Sequence, residues 1–355
     1  MSRIVQILES LHYGDAISNH AIAIHRALLE RGQDSILFAK NIDPRVQKNA
    51  QFYNTYSEQP EDVILYHLSI GSDMNREIVK HRCKKVINYH NVTPWEFFAP
   101  YNVYMAQLCR KGREDAAFLA DKVDMAISDS AYNTSELAAL GFRCPLHSIP
   151  IIMNYSDYEN APDPKVMTEF SKNITNIVFI GRIAPNKKQE DVIKDFYYYT
   201  KYFNPNSRLI LVGNYNNFES YYLKLKAYVR KLGLKNVIFT GHVQFSEMLA
   251  YYRTADVLLC ESAHEGFCVP MVEGMYFGVP VVAYDSSAVG ETLADGGILL
   301  PEKNAALAAA VIDQVVRDNA LREEIHARQK QRLEAFAPEK LLDRFLQLLI
   351  TKKTA

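Results

Sequence analysis

The sequence of 355 residues predicts an α/β protein made of two successive doubly wound parallel-sheet units. Three observations carry that prediction. Short β-rich apolar runs alternate with helical patterns along the chain. The alternation stops once, in a polar stretch with two prolines, and then restarts. The chain is also too long for one ordinary hydrophobic core.

In the first half the strand candidates are "RIVQIL", "SILFAK", "DVILYHLS", "KVINYH" and "MAIS", with "LHSIPI" closing the series. Between the first two, "ISNHAIAIHRALLERG" reads as a helix. Ile17, Ala21, Ile24 and Leu28 share one face, and Gly32 closes it. The stretch "NYSDYENAPDPKVMTEFSKN", residues 154–173, lacks β-rich runs and reads as a linker. After it come "NIVFIGR", "RLILVGN", "NVIFTGH", "VLLCES" and "VPVVAY", each a buried-strand candidate followed by a loop rich in Gly, Ser or Asn. The tyrosine cluster "DFYYYTKYF" reads as a helix with one aromatic face. The expected domains are 1–155, a linker over 156–173, 174–338, and a C-terminal helix over 339–355. Two such units imply a cleft between them. Ligands of doubly wound sheets bind outside the carboxyl ends of the strands, so strand-end loops are where chemistry is expected.

Composition excludes several classes. The chain is 48% hydrophobic and 23% charged with a net charge of −1, which argues against a general nucleic-acid binder. The apolar run before Glu9 is short, so no signal peptide is expected. No run reaches the roughly 18 apolar residues of a membrane span. The five cysteines, Cys83, Cys109, Cys144, Cys260 and Cys268, show no C-x-x-C pairing. That fits a reducing compartment and points away from a zinc site or a disulfide framework.

Two loops carry the chemistry. Arg182, Lys187 and Lys188 cluster between a strand end and a helix starting near Gln189. Three cations there repel one another and oppose the positive end of the helix dipole, and a phosphate relieves both problems. The bland alternative is solvated surface charge. The second loop, "AHEGF", leads into a helix starting near Pro270 and stopping at Gly278. It carries Glu265, and Glu273 lies in the first turn of the helix, where the dipole favours an acid. A hydrolase pair needs carboxyls about 5–5.5 Å apart. Eight residues of helix rise about 12 Å, so the pair is spaced for two points on one elongated ligand.

"GRIAPNKK" followed by "EGFCVPMVE" resembles the retaining glycosyltransferases of family 4, of the bacterial polysaccharide and lipopolysaccharide type. Their Glu, seven residues, Glu hallmark is matched by Glu265 and Glu273. The loop "HEGFCVPMVEGM" is similar to their E-G-F-G-x-P-x-x-E-A, with Cys268 in place of glycine and Gly274 in place of alanine. The resemblance implies the GT-B fold, two Rossmann-like domains facing a cleft, with the C-terminal helix crossing back to the first. It implies that Arg182 and Lys187 bind the pyrophosphate of a nucleotide sugar, Lys188 being the less suited lysine. Glu273 would accept the ribose hydroxyls. Glu265 would contact the donor sugar, helped by the backbone N–H groups of Gly266, Phe267 and Cys268.

In the N-terminal half, Gly14 resembles the family glycine that lets the backbone approach the phosphates. Asp15 stands where a second glycine is usual and would face the acceptor. His90, at a strand end, resembles the family histidine near the anomeric centre. Ser128 and Asp129 form another strand-end loop on the acceptor side, with helix capping by neighbouring residues an equal reading.

The implied reaction transfers a hexosyl group, mannosyl as first choice, from a nucleoside-diphosphate sugar to a hydroxyl of a cell-surface glycan or lipid-linked acceptor. Configuration is retained. No side chain is an obvious nucleophile, and no Asp-x-Asp motif occurs, so no metal or cofactor is expected. A cytoplasmic protein, resting peripherally on the inner face of the plasma membrane, suits the cations beside aromatics in "KHRCKKVINYH" and "WEFFAPYNVYMAQLCRKGR". The alternatives are an epimerase or phosphorylase of the same architecture and a non-catalytic sugar-nucleotide-binding subunit. A dinucleotide oxidoreductase is disfavoured because neither "HYGDAI" nor "VGNYNN" supplies G-x-G-x-x-G.

Overall fold

A computed structural model describes residues 2–171 and 173–350. It contains two parallel sheets, each the centre of its own compact unit. The first sheet is formed by β1 (Arg3–Leu11), β2 (Ser35–Ile42), β3 (Gln51–Phe52), β4 (Asp62–Leu68), β5 (Lys84–Tyr89), β6 (Met125–Ser128) and β7 (Leu146–Ser148), in the order β3-β2-β1-β4-β5-β6-β7. The second contains β8 (Thr175–Ile180), β9 (Ser207–Val212), β10 (Val237–Gly241), β11 (Val257–Cys260), β12 (Val281–Tyr284) and β13 (Ile298–Leu300), in the order β10-β9-β8-β11-β12-β13. Both orders reverse direction after the first strand, between β1 and β4 and between β8 and β11. A parallel sheet is covered on both faces, so its central strands read as unbroken apolar runs. Every residue of β4 is buried, as is every residue of β9.

The first unit comprises residues up to 95, 106–155 and from 336 onward. Its helix Ala16–Glu30 starts because the Asp15 carboxylate accepts from the Ser18 N–H, and it ends before Gly32, whose φ of 70° suits a residue without Cβ. Ala21, Ile24 and Leu28 are buried on the sheet. The helix Pro338–Leu349 adds Leu341, Phe345, Leu346 and Leu349 to the same core as Ile4, Val63, Val86 and Ile127. Arg31 and Asp343 pair at 2.6 Å on its rim. The core of the first sheet is therefore completed by the far end of the chain.

Two boundaries differ from the sequence reading. Residues 96–105 belong to the second unit, not the first. Aromatic contacts explain this. Phe98 packs on Phe218 with centroids 4.7 Å apart, and Tyr101 packs on Tyr221 at 5.0 Å. The expected linker, 156–173, is also built into the second unit. It forms a helix, Pro164–Phe170, capped by Asp163, with Val166 and Phe170 buried. Phe170 meets Tyr251 at 5.3 Å, and Arg253 donates to the carbonyls of Tyr158 and Asn160. Polar composition had hidden two anchoring side chains, Val166 and Phe170.

Phe345 is fully buried in the shared core. Phe345→Ala should therefore cost about 3–5 kcal/mol of stability. Urea unfolding would measure it, and a cost near zero would show that the helix Pro338–Leu349 is not packed on the first sheet.

Candidate functional site

In the second unit the order reverses between β8 and β11, so the loops after these strands lie side by side at the carboxyl edge. Close backbone packing sets the first loop. Gly181 has a φ of 145°, and a Cβ on Gly213 would lie 2.0 Å from the Gly181 carbonyl oxygen. Arg182 follows, exposed, with its guanidinium 5.4 Å from the centre of the Phe218 ring. A 3₁₀ turn over Pro185–Lys187 and a left-handed Lys188, φ 53°, lead into the helix Gln189–Tyr202. Asn186 ties the two loops together. Its side chain donates to the His264 carbonyl at 3.1 Å, and its own carbonyl accepts from the Ala263 N–H at 2.8 Å.

The second loop runs from Glu261 to Cys268. Glu265 is buried, and both its carboxylate oxygens accept from Lys187 Nζ, at 2.5 and 2.6 Å. Burial opposes the lysine charge, but the Glu265 carboxylate outweighs it and holds the ammonium above its ordinary range. Serines after β12 fix this loop. Ser287 Oγ accepts from the Glu265 N–H at 2.7 Å, and Ser286 Oγ donates to the Ser262 carbonyl at 2.6 Å. Gly266 is half-buried, while Phe267 and Cys268 are buried. Cys268 is in the left-handed region, φ 71°, where glycine is preferred, and it precedes the helix Val269–Tyr276.

Glu273 lies in that helix and is buried. The hydroxyls of Tyr158 and Tyr252 donate to its two carboxylate oxygens at 2.9 and 2.6 Å. Burial raises its carboxyl above the ordinary range, against the opposing pull of the two tyrosines. Among the described residues no cation pairs with Glu273 in the manner of Lys187 and Glu265. Neither tyrosine was singled out in the sequence. Tyr158 comes from the stretch read as linker, and Tyr252 is one of several tyrosines in a helix that looks purely structural.

At the start of the second loop, Glu261 neighbours Asp195 in the interior. Glu261 Oε1 and Asp195 Oδ2 find no N–H or O–H donor among the described residues. A proton shared between the two carboxyls supplies one. Burial, and then the Asp195 charge, pushes Glu261 up to about 9. Lys303 offsets part of the remaining charge, donating to Asp191 at 2.5 Å and to the Glu261 carbonyl at 2.8 Å.

The first unit holds a different arrangement. Gly14 and Asp15 are exposed after β1, with Gly14 at φ 76° and Asp15 engaged as the cap of helix Ala16–Glu30. Ser128 is fully buried. Its Oγ lies 2.7 Å from Thr134 Oγ1 and donates to the Ser130 carbonyl, while Ser130 caps the next helix. The Ser128 hydroxyl is thus committed internally and is not displayed at the loop surface. The side chain of His90 is 1% exposed, and both its ring nitrogens are engaged.

The proton positions around His90 can be followed. Gln6 Nε2 donates to the Ala21 carbonyl, so Gln6 Oε1 faces His67 Nε2 at 3.0 Å and accepts its proton. A neutral His67 then accepts at Nδ1 from His90 Nε2–H, 2.9 Å away. Burial and the neighbouring His90 hold His67 well below the ordinary imidazole range, which keeps it neutral. One proton remains between His90 Nδ1 and Asp129, 2.9 Å apart. Burial raises the Asp129 carboxyl, against the pull of His90. His20 was also missed in the sequence. It accepts from the Ile152 N–H and stacks edge-on to His90 at 5.5 Å.

Among the described residues two groups of side chains converge closely enough to share a cation: His20, His90 and Asp129, and Cys260, Glu265 and Cys268. In the first, the imidazole nitrogens already serve protein partners. In the second, the Lys187 ammonium occupies the Glu265 carboxylate. The arrangement after β8 and β11 instead suits an anionic, hydroxyl-bearing ligand: two cations, an ion-paired acid and a second acid held by hydroxyls.

The Glu261–Asp195 proton predicts a pH dependence. Glu261 titrates higher folded than unfolded, so unfolding releases a proton between the ordinary carboxylate range and about 9. Stability should fall as pH rises through that window, by up to about 1.4 kcal/mol per pH unit. Glu261→Gln should reduce the slope to the part contributed by Asp195, which burial and then Asp191 raise to about 7. Urea midpoints measured across the window would check this, and equal slopes in both proteins would refute the shared proton.

Residues 167–332 match the family described as glycosyl transferases group 1. An uncharacterized glycosyltransferase of Methanocaldococcus jannaschii is 28% identical over 168 residues, 46% of this chain and 44% of its own length. The phosphatidyl-myo-inositol mannosyltransferase of Mycobacterium leprae is 28% identical over 202 residues, 56% of this chain and 51% of its own. The chain thus spans about half the length of the curated relatives it matches. In three dimensions the similarity extends over nearly all of the chain. The Anabaena protein HepE, solved with UDP-glucose, superimposes with a TM-score of 0.76 over 98% of this chain and 99% of its own, at 17% identity. The two parallel-sheet units are therefore those of the GT-B fold, and residues 167–332 carry the pattern of the glycosyl transferases group 1 family within it.

Proposed function

We propose that the protein is a retaining glycosyltransferase of the family 4 type. It would move a hexosyl group, mannosyl as first choice, from a nucleoside-diphosphate sugar to a hydroxyl of a growing cell-surface glycan or lipid-linked acceptor. The observation that carries the proposal is the pairing of Lys187 with Glu265 at the ends of the adjacent strands β8 and β11, with Arg182 in the same loop as the lysine. The match of residues 167–332 and the name of the Mycobacterium leprae relative support the transferase and mannosyl readings. The UDP-glucose bound to the Anabaena protein supports a nucleotide-sugar donor.

In this reading Arg182 and Lys187 bind the pyrophosphate and stabilise the charge that grows on the leaving phosphate. Fixed cations at a strand edge do this better than water, which must reorient. Lys187 leaves Glu265 for the phosphate, and Glu265 turns its acceptors to the sugar hydroxyls. Gly266, Phe267 and Cys268 contribute backbone donors. Glu273, held by Tyr158 and Tyr252, receives the ribose. The phosphate cations serve in place of a metal, and no cofactor takes part.

In the first unit, Gly14 lets the backbone come close to the phosphates, and Asp15 faces the acceptor. His90 acts beside the anomeric centre, with its ring held by His67 and Asp129. Acceptor attack on the face the phosphate leaves retains configuration without a protein nucleophile. Among the described residues no helix is long and apolar enough to cross a membrane. A peripheral position at the cytoplasmic face suits a lipid-linked acceptor.

Arg182→Ala should lose about 1.5–3 kcal/mol of nucleoside-diphosphate affinity by calorimetry. An unchanged affinity would remove the arginine from the phosphate site. Glu265→Ala should lower kcat by at least about 100-fold, with a much smaller effect on nucleotide binding. A thermal-shift series across UDP, GDP, ADP and CDP sugars identifies the donor by mass action. Hydrolysis or epimerisation of the stabilising donor, without transfer to any hydroxyl, would overturn the proposal.

A further inference from the structure

The sequence places Cys260 and Cys268 eight positions apart, with no motif to link them. The fold brings their sulfurs to 3.9 Å, inside the protein, at the two ends of the loop that carries Glu265. Cys260 ends β11. Cys268 starts the helix Val269–Tyr276 from a left-handed backbone position, where most residues are strained. Lys187, Cys260, Ser262, Glu265 and Cys268 also line one narrow cavity. The other three cysteines do not share this arrangement: Cys83 and Cys109 are buried and Cys144 half-buried, in the first unit.

We propose that Cys260 and Cys268 are a modification site: a hydroperoxide converts them to a reversible disulfide that closes across the Glu265 loop. The two thiols are not equivalent. The S–H of Cys268 and the Ser262 hydroxyl stabilise a negative Cys260 sulfur and hold its thiol below the ordinary range, while the same contact and burial push Cys268 up. Cys260 is therefore the attacking thiolate. It takes one oxygen from the peroxide and becomes a sulfenic acid, releasing hydroxide. The Cys268 sulfur then attacks the Cys260 sulfur and expels its hydroxyl. The Cys268 proton and the hydroxide complete the balance, so two thiols and one hydroperoxide give one disulfide, one water and one water or alcohol.

Closure moves the loop. A disulfide needs the sulfurs at about 2.05 Å, against the 3.9 Å seen here. The difference must come from rotation of the two side chains together with movement of the loop ends that carry them. Glu265 lies between, ion-paired to Lys187. Oxidation thus displaces the acid and the backbone donors next to it. The effect on donor binding rests on the function proposed above; formation of the disulfide does not.

The test uses the full-length protein, reduced, freed of reductant and then exposed to hydrogen peroxide. Intact mass after alkylation under denaturing conditions should show two fewer alkylated thiols, and digestion should give one cross-linked product joining Cys260 to Cys268. Dithiothreitol should reverse both. Nucleoside-diphosphate affinity should fall by about ten-fold or more on oxidation and recover on reduction. Cys260→Ala, with Cys260→Ser as the second variant should the first fold poorly, should form no cross-link and keep its affinity through peroxide treatment. Both cysteines alkylating fully after peroxide, or a bound zinc ion protecting them, would overturn the proposal. A cross-link without change in affinity would overturn the switching role. A cross-link in a protein that binds no nucleoside diphosphate in either state would count against the proposed function and leave the modification standing.

Discussion

A parallel sheet that reverses its strand order has one place where no helix can cover the carboxyl edge. Here it falls between β8 and β11, whose connections leave in opposite directions along the sheet. These strands are neighbours although 76 residues of chain separate Ile180 from Val257. The crossover alone brings the loop of Arg182 and Lys187 against the loop of Glu265. Asn186 then locks the two together through a side-chain donor and a backbone acceptor. Without the reversal, the cations and the acid would lie on separate parts of the sheet edge.

The two acids show two ways of burying a carboxylate. Glu265 is neutralised by Lys187, and Glu273 is solvated by two phenols. An ion pair can be exchanged for another ion pair at modest cost. A carboxylate bound only by neutral hydroxyls keeps its charge available to a further donor, although burial raises its titration range. In the proposed reaction this division has a purpose. The acid that must change partners holds a mobile lysine. The acid that only receives a ribose is held by tyrosines that stay in place.

The alternation of strands and helices made both sheets legible, as did the two strand-end loops, because hydrophobic period and glycine placement are local signals. Local signals failed where the partner is distant. Tyr158 sits among polar residues and prolines, and nothing nearby indicates that its hydroxyl reaches Glu273, 115 positions on. Residues 96–105 come soon after β5 in the chain, yet Phe98 and Tyr101 pack on aromatics more than a hundred positions away. The C-terminal helix was visible as a helix, and its place in the first core depends on Phe345 meeting residues from β1, β4, β5 and β6. His67 was invisible as the partner of His90, and Gln6 as the partner of His67, because each reads as one residue of an apolar strand.

That last group shows how the same topology was used differently in the first unit. Gln6, His67, His90 and Asp129 come from β1, from β4 and from the residues just after β5 and β6, four neighbours in the sheet. The polar chain therefore crosses the sheet near its carboxyl edge, buried along its whole length. Such a chain is stable only when every member has a partner, and here a single proton between His90 and Asp129 completes it. The second unit, by contrast, leaves Arg182 exposed and pairs its lysine with a single acid. The polar groups at the edge of the first sheet hold one imidazole in a fixed orientation. His90 is thereby held at both ring nitrogens, by His67 on one side and by Asp129 on the other.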